Sequence, residues 1–450
     1  MKMTENDFMQ YMMCGHGRCF SAMADEPEKF RNIVLYGCLN DITYDLQCEG
    51  SRGLFMYNLV LQYDDYEFFL KPAIEKFLSS EINDDWHLIN HLCDFIELFA
   101  NDYGNMSAKN AISEKYAQLY EQLMLLKWSV RANEILQCYE YMVIVIMQND
   151  TIERTVKIFE DIGKFFIRRR RVSDDELKWR FAWFWSCANE KYGEKYLMEK
   201  LNILSKDNAE IRRFWRVMMC NESSHLISRQ PLAAEEFIEI AENHSIQRKD
   251  VITLRRAENS EKMKIAEKVI SENDENKKAN LLRAFTISSN PFPLSPEILI
   301  DYELSKNKNL RESAVDVMTY LKADCIHDFA LKKLKKYRKN FPVELVMILI
   351  NNYSPDDKNF LLEIINRLKI DRENNSGWHN IVLEIVRNIE EIPDEFIFFV
   401  YEKSMCSCCR ESAVDELIRR NLFTEEIKSE CLMDCNYDIR KEAENYERKL

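Results

Sequence analysis

The residues best suited to chemistry lie near the start of the chain. Between Gly15 and Gly53 the sequence gathers five of its nine glycines, in Cys14-Gly15-His16-Gly17-Arg18-Cys19, Tyr36-Gly37-Cys38 and Gln47-Cys48-Glu49-Gly50-Ser51-Arg52-Gly53. Glycine permits positive φ and close backbone approach. A glycine turn opening a helix leaves free N–H groups, and together with Arg18 and Arg52 these make a donor set for an anion such as phosphate. His16, Asp45 and Glu49 complete the ligand-binding candidates, the two carboxylates as acid or base. The competing reading takes the glycines as points of tight helix crossing and the cysteines as small core residues. Packing is the favoured reading of this segment, and the segment is still where a ligand site is first expected.

Other constellations are weaker. Cys14, His16 and Cys19, with Cys38 and Cys48, hold enough soft ligands for zinc, but no Cys-x-x-Cys pair accompanies them. Cys19 beside His16 at a helix start has the makings of a nucleophile, yet no residue that would order the histidine can be named. His87 and His91 stand one helical turn apart, with Asp94 three further on. The stripe Trp86, Ile89, Cys93, Ile96 and Phe99 claims the buried face of that helix, so the histidines are expected on a solvated face. No metal and no cofactor is expected. The phosphate loop, dinucleotide fingerprint, nucleophile elbow and kinase motifs are all missing from the sequence, which lowers the common enzyme classes.

Two basic tracts bear on nucleic acid or an acidic partner. Arg168, Arg169, Arg170 and Arg171 precede Trp179, Arg180, Phe181, Trp183, Phe184 and Trp185, a mixture of cations and aromatics suited to single strands. The aromatics encircle their helix, which predicts burial, and the arginines end the preceding helix, where cations complement the dipole. In the second tract, Lys332, Lys335, Lys336 and Lys339 share one face. From Lys306 to Asn340 ten basic residues meet four acidic ones.

The elements that must position these residues are helical. Of 450 residues only nine are glycine and nine proline, while 46 % are hydrophobic, which provides a core but few tight turns. Helical periodicity runs from end to end and alternating strands are absent. Ser173 with Glu176 forms a helix-start signal. The three prolines within Ser288–Pro296 forbid a continuous helix. The expected division is therefore 1–150, helical with the glycine- and cysteine-rich segment 14–53, then 151–287, then a repeat array over 295–450.

The array declares itself by self-similarity. Arg311-Glu312-Ser313-Ala314-Val315-Asp316 recurs letter for letter as Arg410-Glu411-Ser412-Ala413-Val414-Asp415, with a weaker copy at Arg440-Lys441-Glu442-Ala443. Each arginine follows an N-cap signal (Ser295, Asp394 and Thr424) by sixteen residues. Leu310, Cys409 and Ile439 fall in one register, and Ala314, Ala413 and Ala443 in the next. Cys409 and Cys431 thereby take core positions rather than metal-ligand ones. Further first helices are expected near Asp324 and near Ser354-Pro355.

A polar residue, an apolar one, then Arg-x-x-Ala resembles HEAT-like (ARM-type) helical repeats. The resemblance is clear over 295–450 and echoed at Asp207-Asn208-Ala209-Glu210-Ile211-Arg212. It implies an α-solenoid of stacked antiparallel helix pairs whose curved surface binds other macromolecules.

The formal charge of −14 disfavours indiscriminate binding to nucleic acid or acidic membranes. No apolar run reaches the roughly 18–20 residues of a membrane span, the N-terminus is polar and acidic, and fourteen cysteines without a signal segment read as thiols in a reducing cytoplasm. The sequence thus leads to an all-α, cytoplasmic, non-catalytic scaffold that binds protein. A ligand-binding or enzymatic N-terminal segment and a nucleic-acid-binding solenoid are the alternatives.

Overall fold

The computed structural model describes residues 3–44, 51–81, 86–125, 130–169, 172–219, 233–367 and 375–446. Among them it contains 26 α-helices and no strand, so the fold is all-α. No helix there is long and apolar enough to cross a membrane. Contacts divide the chain into two compact units, one of Met1–Leu226 with Thr424–Leu450, the other of Ile227–Phe423. The chain leaves the first unit, builds the second, and returns to the first. The sequence boundary at Ser288–Pro296 lies outside any helix, as the prolines require, but inside the second unit.

In the first unit the chain forms α1 (Glu5–Cys14), α2 (Arg18–Asp25), α3 (Pro27–Leu39), α4 (Gly53–Val60), α5 (Glu67–Ser79), α6 (Trp86–Asp102), α7 (Met106–Leu125) and α8 (Val130–Asn149). It continues with α9 (Ile152–Arg168), α10 (Asp174–Tyr192), α11 (Glu194–Leu204) and α12 (Ala209–Met218). Local sequence sets the helix starts. Thr4 and Asp7 form a capping box, and Thr151, Ser173 and Asn208 each accept an N–H of the first turn. Aromatics fill the core: Phe8 stacks on Phe30 with ring centres 4.1 Å apart, and Phe159 on Phe214 at 4.7 Å. Each fully buried aromatic contributes about 2–3 kcal/mol.

The second unit comprises α13 (Ala234–Asn243), α14 (Arg248–Leu254), α15 (Asn259–Ser271), α16 (Glu275–Leu282), α17 (Glu297–Glu303) and α18 (Lys308–Met318). Then follow α19 (Asp324–Leu334), α20 (Val343–Asn351), α21 (Lys358–Arg367), α22 (Asn375–Arg387), α23 (Asp394–Lys403) and α24 (Ser407–Arg419). Here α16, α18, α20, α22 and α24 pack in succession, each on the next, while α17 packs on α18, α19 on α20 and α23 on α24. The last pair, α25 (Glu425–Cys431) and α26 (Tyr437–Asn445), belongs to the first unit.

The repeated arginine has a physical role. Arg311 donates to the Ser305 carbonyl at 2.8 Å, Arg410 to Ser404 at 3.0 Å, and Arg440 to Asp434 at 2.7 Å. Arg212, in the upstream echo, donates to Ser205 at 2.7 Å. In every copy the guanidinium satisfies a carbonyl orphaned where the preceding helix ends. The register positions Leu310, Cys409 and Ile439, and likewise Ala314, Ala413 and Ala443, are all buried. Small side chains at the second set let the paired helices approach. A one-residue difference appears at two starts, whose N-caps are Pro296 and Pro393.

Two expectations are corrected. His91 is fully buried, not solvated; its Nε2 lies 3.0 Å from the Gly37 carbonyl, and burial holds its pKa below the ordinary value, so the ring is neutral. The apolar stripe of α6 is wider than the spacing suggested, because neighbours cover it from both sides. The aromatics of α10 are not all buried either: Phe181 and Phe184 are, but Trp179 is 73 % and Trp183 57 % exposed.

Arg410 is completely buried, whereas Arg311 is only partly so. Arg410→Ala is therefore expected to cost about 2–3 kcal/mol and Arg311→Ala about 1 kcal/mol, read as shifts in the urea unfolding midpoint.

Candidate functional site

The glycine-rich segment serves as the seat of the last helix pair. Gly15 ends α1 with φ 68°, the left-handed conformation that suits glycine, and its carbonyl accepts the Cys435 N–H at 2.9 Å. A Cβ on Gly17 would lie 1.8 Å from the Glu430 carbonyl oxygen, so no larger residue fits there. Arg18 forms an ion pair with Glu430 at 2.6 Å and donates to the Tyr11 hydroxyl at 2.9 Å. Burial opposes the charge on Arg18, but Glu430 outweighs it and raises the guanidinium pKa.

Arg52 is buried; it donates to Cys435 Sγ, and to the Cys14 carbonyl at 3.3 Å. His16 is buried with its Nδ1 accepting the Arg18 N–H. Thus His16, Arg18 and Arg52 are brought together, and the groups they meet are the protein's own. Asp45 and Glu49 lie outside the described residues. Cys19 is fully buried, and burial raises its thiol pKa well above the ordinary value, which keeps it a protonated core residue.

The basic tracts part company. Arg168 and Arg169 donate to the Met124 and Leu123 carbonyls at the end of α7, at 3.5 and 2.9 Å. Arg170 and Arg171 lie outside the described residues. Lys332, Lys335, Lys336 and Lys339 are exposed at the end of α19 and in the turn beyond it.

Within the second unit a groove of about 810 Å³ runs along the successive helices α16, α18 and α20. Its wall carries Asn276 and Asn280 from α16, Asn309, Glu312 and Asp316 from α18, and Glu344 from α20. Asn280 is held rigidly, donating to the Ala241 and His244 carbonyls at 2.7 Å each and accepting the Ile246 N–H. Asn276 accepts from the Asn309 amide at 3.1 Å. The Asp316 side chain reaches the groove surface, yet burial, then Glu344 and Glu312, push its pKa up to about 6 against the pull of Arg283. The groove is therefore rich in amides, and its four carboxylates (Glu242, Glu312, Asp316 and Glu344) outnumber its two full cations, Lys277 and Arg283.

Sequence reasoning missed this surface because it read the hexapeptide as packing. Its Leu310 and Ala314 register does pack, but Glu312, Ser313 and Asp316 of the same helix face the groove. The signal was present: the repeated letters include these polar positions, which core packing alone does not require.

No family model, curated protein or solved structure matches this chain.

A second cavity, of about 530 Å³ in the first unit, is lined by Glu97, Lys109 and Asn149 among others. Burial pushes Glu97 up to about 7, and the nearby Asp94 adds to it against the Asn149 and Asn101 amides. Burial likewise lifts Asp94 to about 6, although Ser51 and Tyr141 donate to it. Both groups are held by neutral donors, which offset only part of the desolvation of their ionised forms.

Two predictions follow from these contacts. Gly17→Ala should destabilise the first unit by about 1–3 kcal/mol and accelerate amide exchange in α25 and α26, as measured by hydrogen-exchange mass spectrometry. For Glu97 the folded pKa exceeds the unfolded one, so its protonated form favours the fold. That contribution is complete below about pH 4 and fades as pH rises through about 7. Glu97→Gln should therefore gain stability relative to the parent between pH 5 and 8, by on the order of 1–2 kcal/mol, in thermal melts run across that range.

Proposed function

We propose that this protein is a non-catalytic scaffold whose helix pairs stack as HEAT-like repeats and whose second-unit groove receives an extended segment of another polypeptide. The observation that carries the reading is the groove wall. Asn276 from α16 and Asn309, Glu312 and Asp316 from the next packed helix, α18, present amides and carboxylates to the same groove. An amide side chain offers both a donor and an acceptor, which matches the alternating N–H and C=O groups of an extended backbone. Successive contacts between second helices, and the arginines that close the turns before α18 and α24, support the stacked arrangement. In such an array each pair buries its neighbour's apolar face and leaves one continuous polar surface.

A reducing, cytoplasmic setting belongs to this reading. Every cysteine among the described residues is a free thiol, and most of them are buried where they act as small apolar side chains.

A photo-crosslinking residue at Ser313, in the groove, and another at Lys308, 75 % exposed and outside it, provide the test in the protein's own cells. Discrete polypeptide adducts are expected from Ser313 alone, and Asn309→Arg, which fills the groove, should abolish them. Identical adducts from both positions, or none from Ser313, would remove the groove as the binding surface.

A further inference from the structure

We infer that the turn following α19 is a docking site for an acidic segment of a partner polypeptide, independent of the groove. Lys332, Lys335, Lys336, Arg338 and Lys339 are all exposed, and among the described residues none has a carboxylate within salt-bridge distance. Some other exposed cations of the same unit are partnered, Lys264 with Glu261, Lys322 with Glu391 and Lys358 with Glu395. Arg248, Lys249, Arg255 and Arg256 are exposed without such a partner among the described residues, but they are spread over nine residues, whereas the turn after α19 holds five within eight. Lys333, inside the same tract, is neutralised by Glu303 at 2.6 Å. Five positive charges within eight residues repel one another, and among the described residues no ion pair offsets them.

The helix dipole accounts for only part of the tract. α19 ends at Leu334, so Lys332 stands in the last turn and Lys335 at its cap. Lys336, Arg338 and Lys339 lie beyond the helix, where the dipole no longer acts. The turn is nevertheless fixed. Leu334 is fully buried on one side and Phe341 nearly so on the other, and Asn340 between them takes a left-handed φ of 54°. The cations are thus presented by an anchored turn, which lowers the entropy lost when a partner binds.

The observations favour acidic polypeptide over nucleic acid. Six of the chain's positive charges sit in Lys332–Lys339, so the remainder is more acidic than the overall −14. A nucleic-acid strand longer than the tract would run over carboxylates, and its affinity grows with the number of phosphates neutralised. Tyr337, 41 % exposed, is the single exposed aromatic within the tract, too little for a stacking platform. A short run of Glu or Asp fits within the tract and avoids the rest of the surface.

The test uses the full chain and a fluorescein-labelled decaglutamate peptide, followed by fluorescence anisotropy at 50 and 200 mM NaCl. Binding should weaken severalfold between these salt concentrations. Replacing Lys332, Lys335, Lys336 and Lys339 together by Ser should weaken it at least tenfold while the helical circular-dichroism signal is retained, since all four side chains are exposed. Lysine-to-arginine changes at the same four positions should retain it. Serine at Lys264, Lys268, Lys322 and Lys358, the same change in net charge elsewhere in the unit, should leave it within twofold of the parent. Equal weakening by both serine sets would overturn the inference, as would tighter binding of a ten-nucleotide oligothymidylate than of the peptide.

Discussion

The guanidinium of Arg410 and the Ser404 carbonyl it satisfies stand for the interaction on which much of this structure depends. Many of the helices are only seven to thirteen residues long, too short to be stable alone. Each must bury an apolar stripe on a neighbour, and each turn between partners leaves carbonyls without a helical acceptor role. At four of these turns an arginine from the following helix reaches back and fills that need. Arg212, Arg311 and Arg440 repeat the arrangement in both units.

The same economy governs the N-terminal segment. Gly15 and Gly17 allow the backbone of the last helix pair to approach within a distance no side chain would permit. Once that approach is made, Arg18 is drawn to Glu430 and Arg52 to Cys435. A charge removed from water needs a partner, and the interaction of a buried ion pair compensates its desolvation only when the geometry is good. Here the partner comes from a segment some four hundred residues away in sequence. Arg18 and Arg52 thereby tie α25 and α26 to the start of the chain within one unit.

Surfaces follow from the same division of labour. In α18 the apolar register packs inward, and the remaining face of Glu312, Ser313 and Asp316 looks into a groove where carboxylates outnumber cations. The turn after α19 is the opposite case, a local excess of cations on an acidic chain. Buried side chains thus fix where the helices sit, and the charges left over give each surface its own sign.

The all-α class was legible because periodicity, helix caps and scarce glycine are local properties, and local propensity summed over many residues is informative. The self-similarity was legible too, and its Leu310/Cys409 and Ala314/Ala413 positions are buried in both copies. Other features were out of reach. That His91 is buried depends on what covers α6, and that Trp179 is exposed depends on what does not cover α10. The sequence by itself determined helices, registers and the positions of Leu310, Ala314 and their counterparts. Only the tertiary structure decided that Arg18 meets Glu430 and that one polar face of the hexapeptide lines a groove, because contacts between residues distant in the chain leave no periodic trace in it.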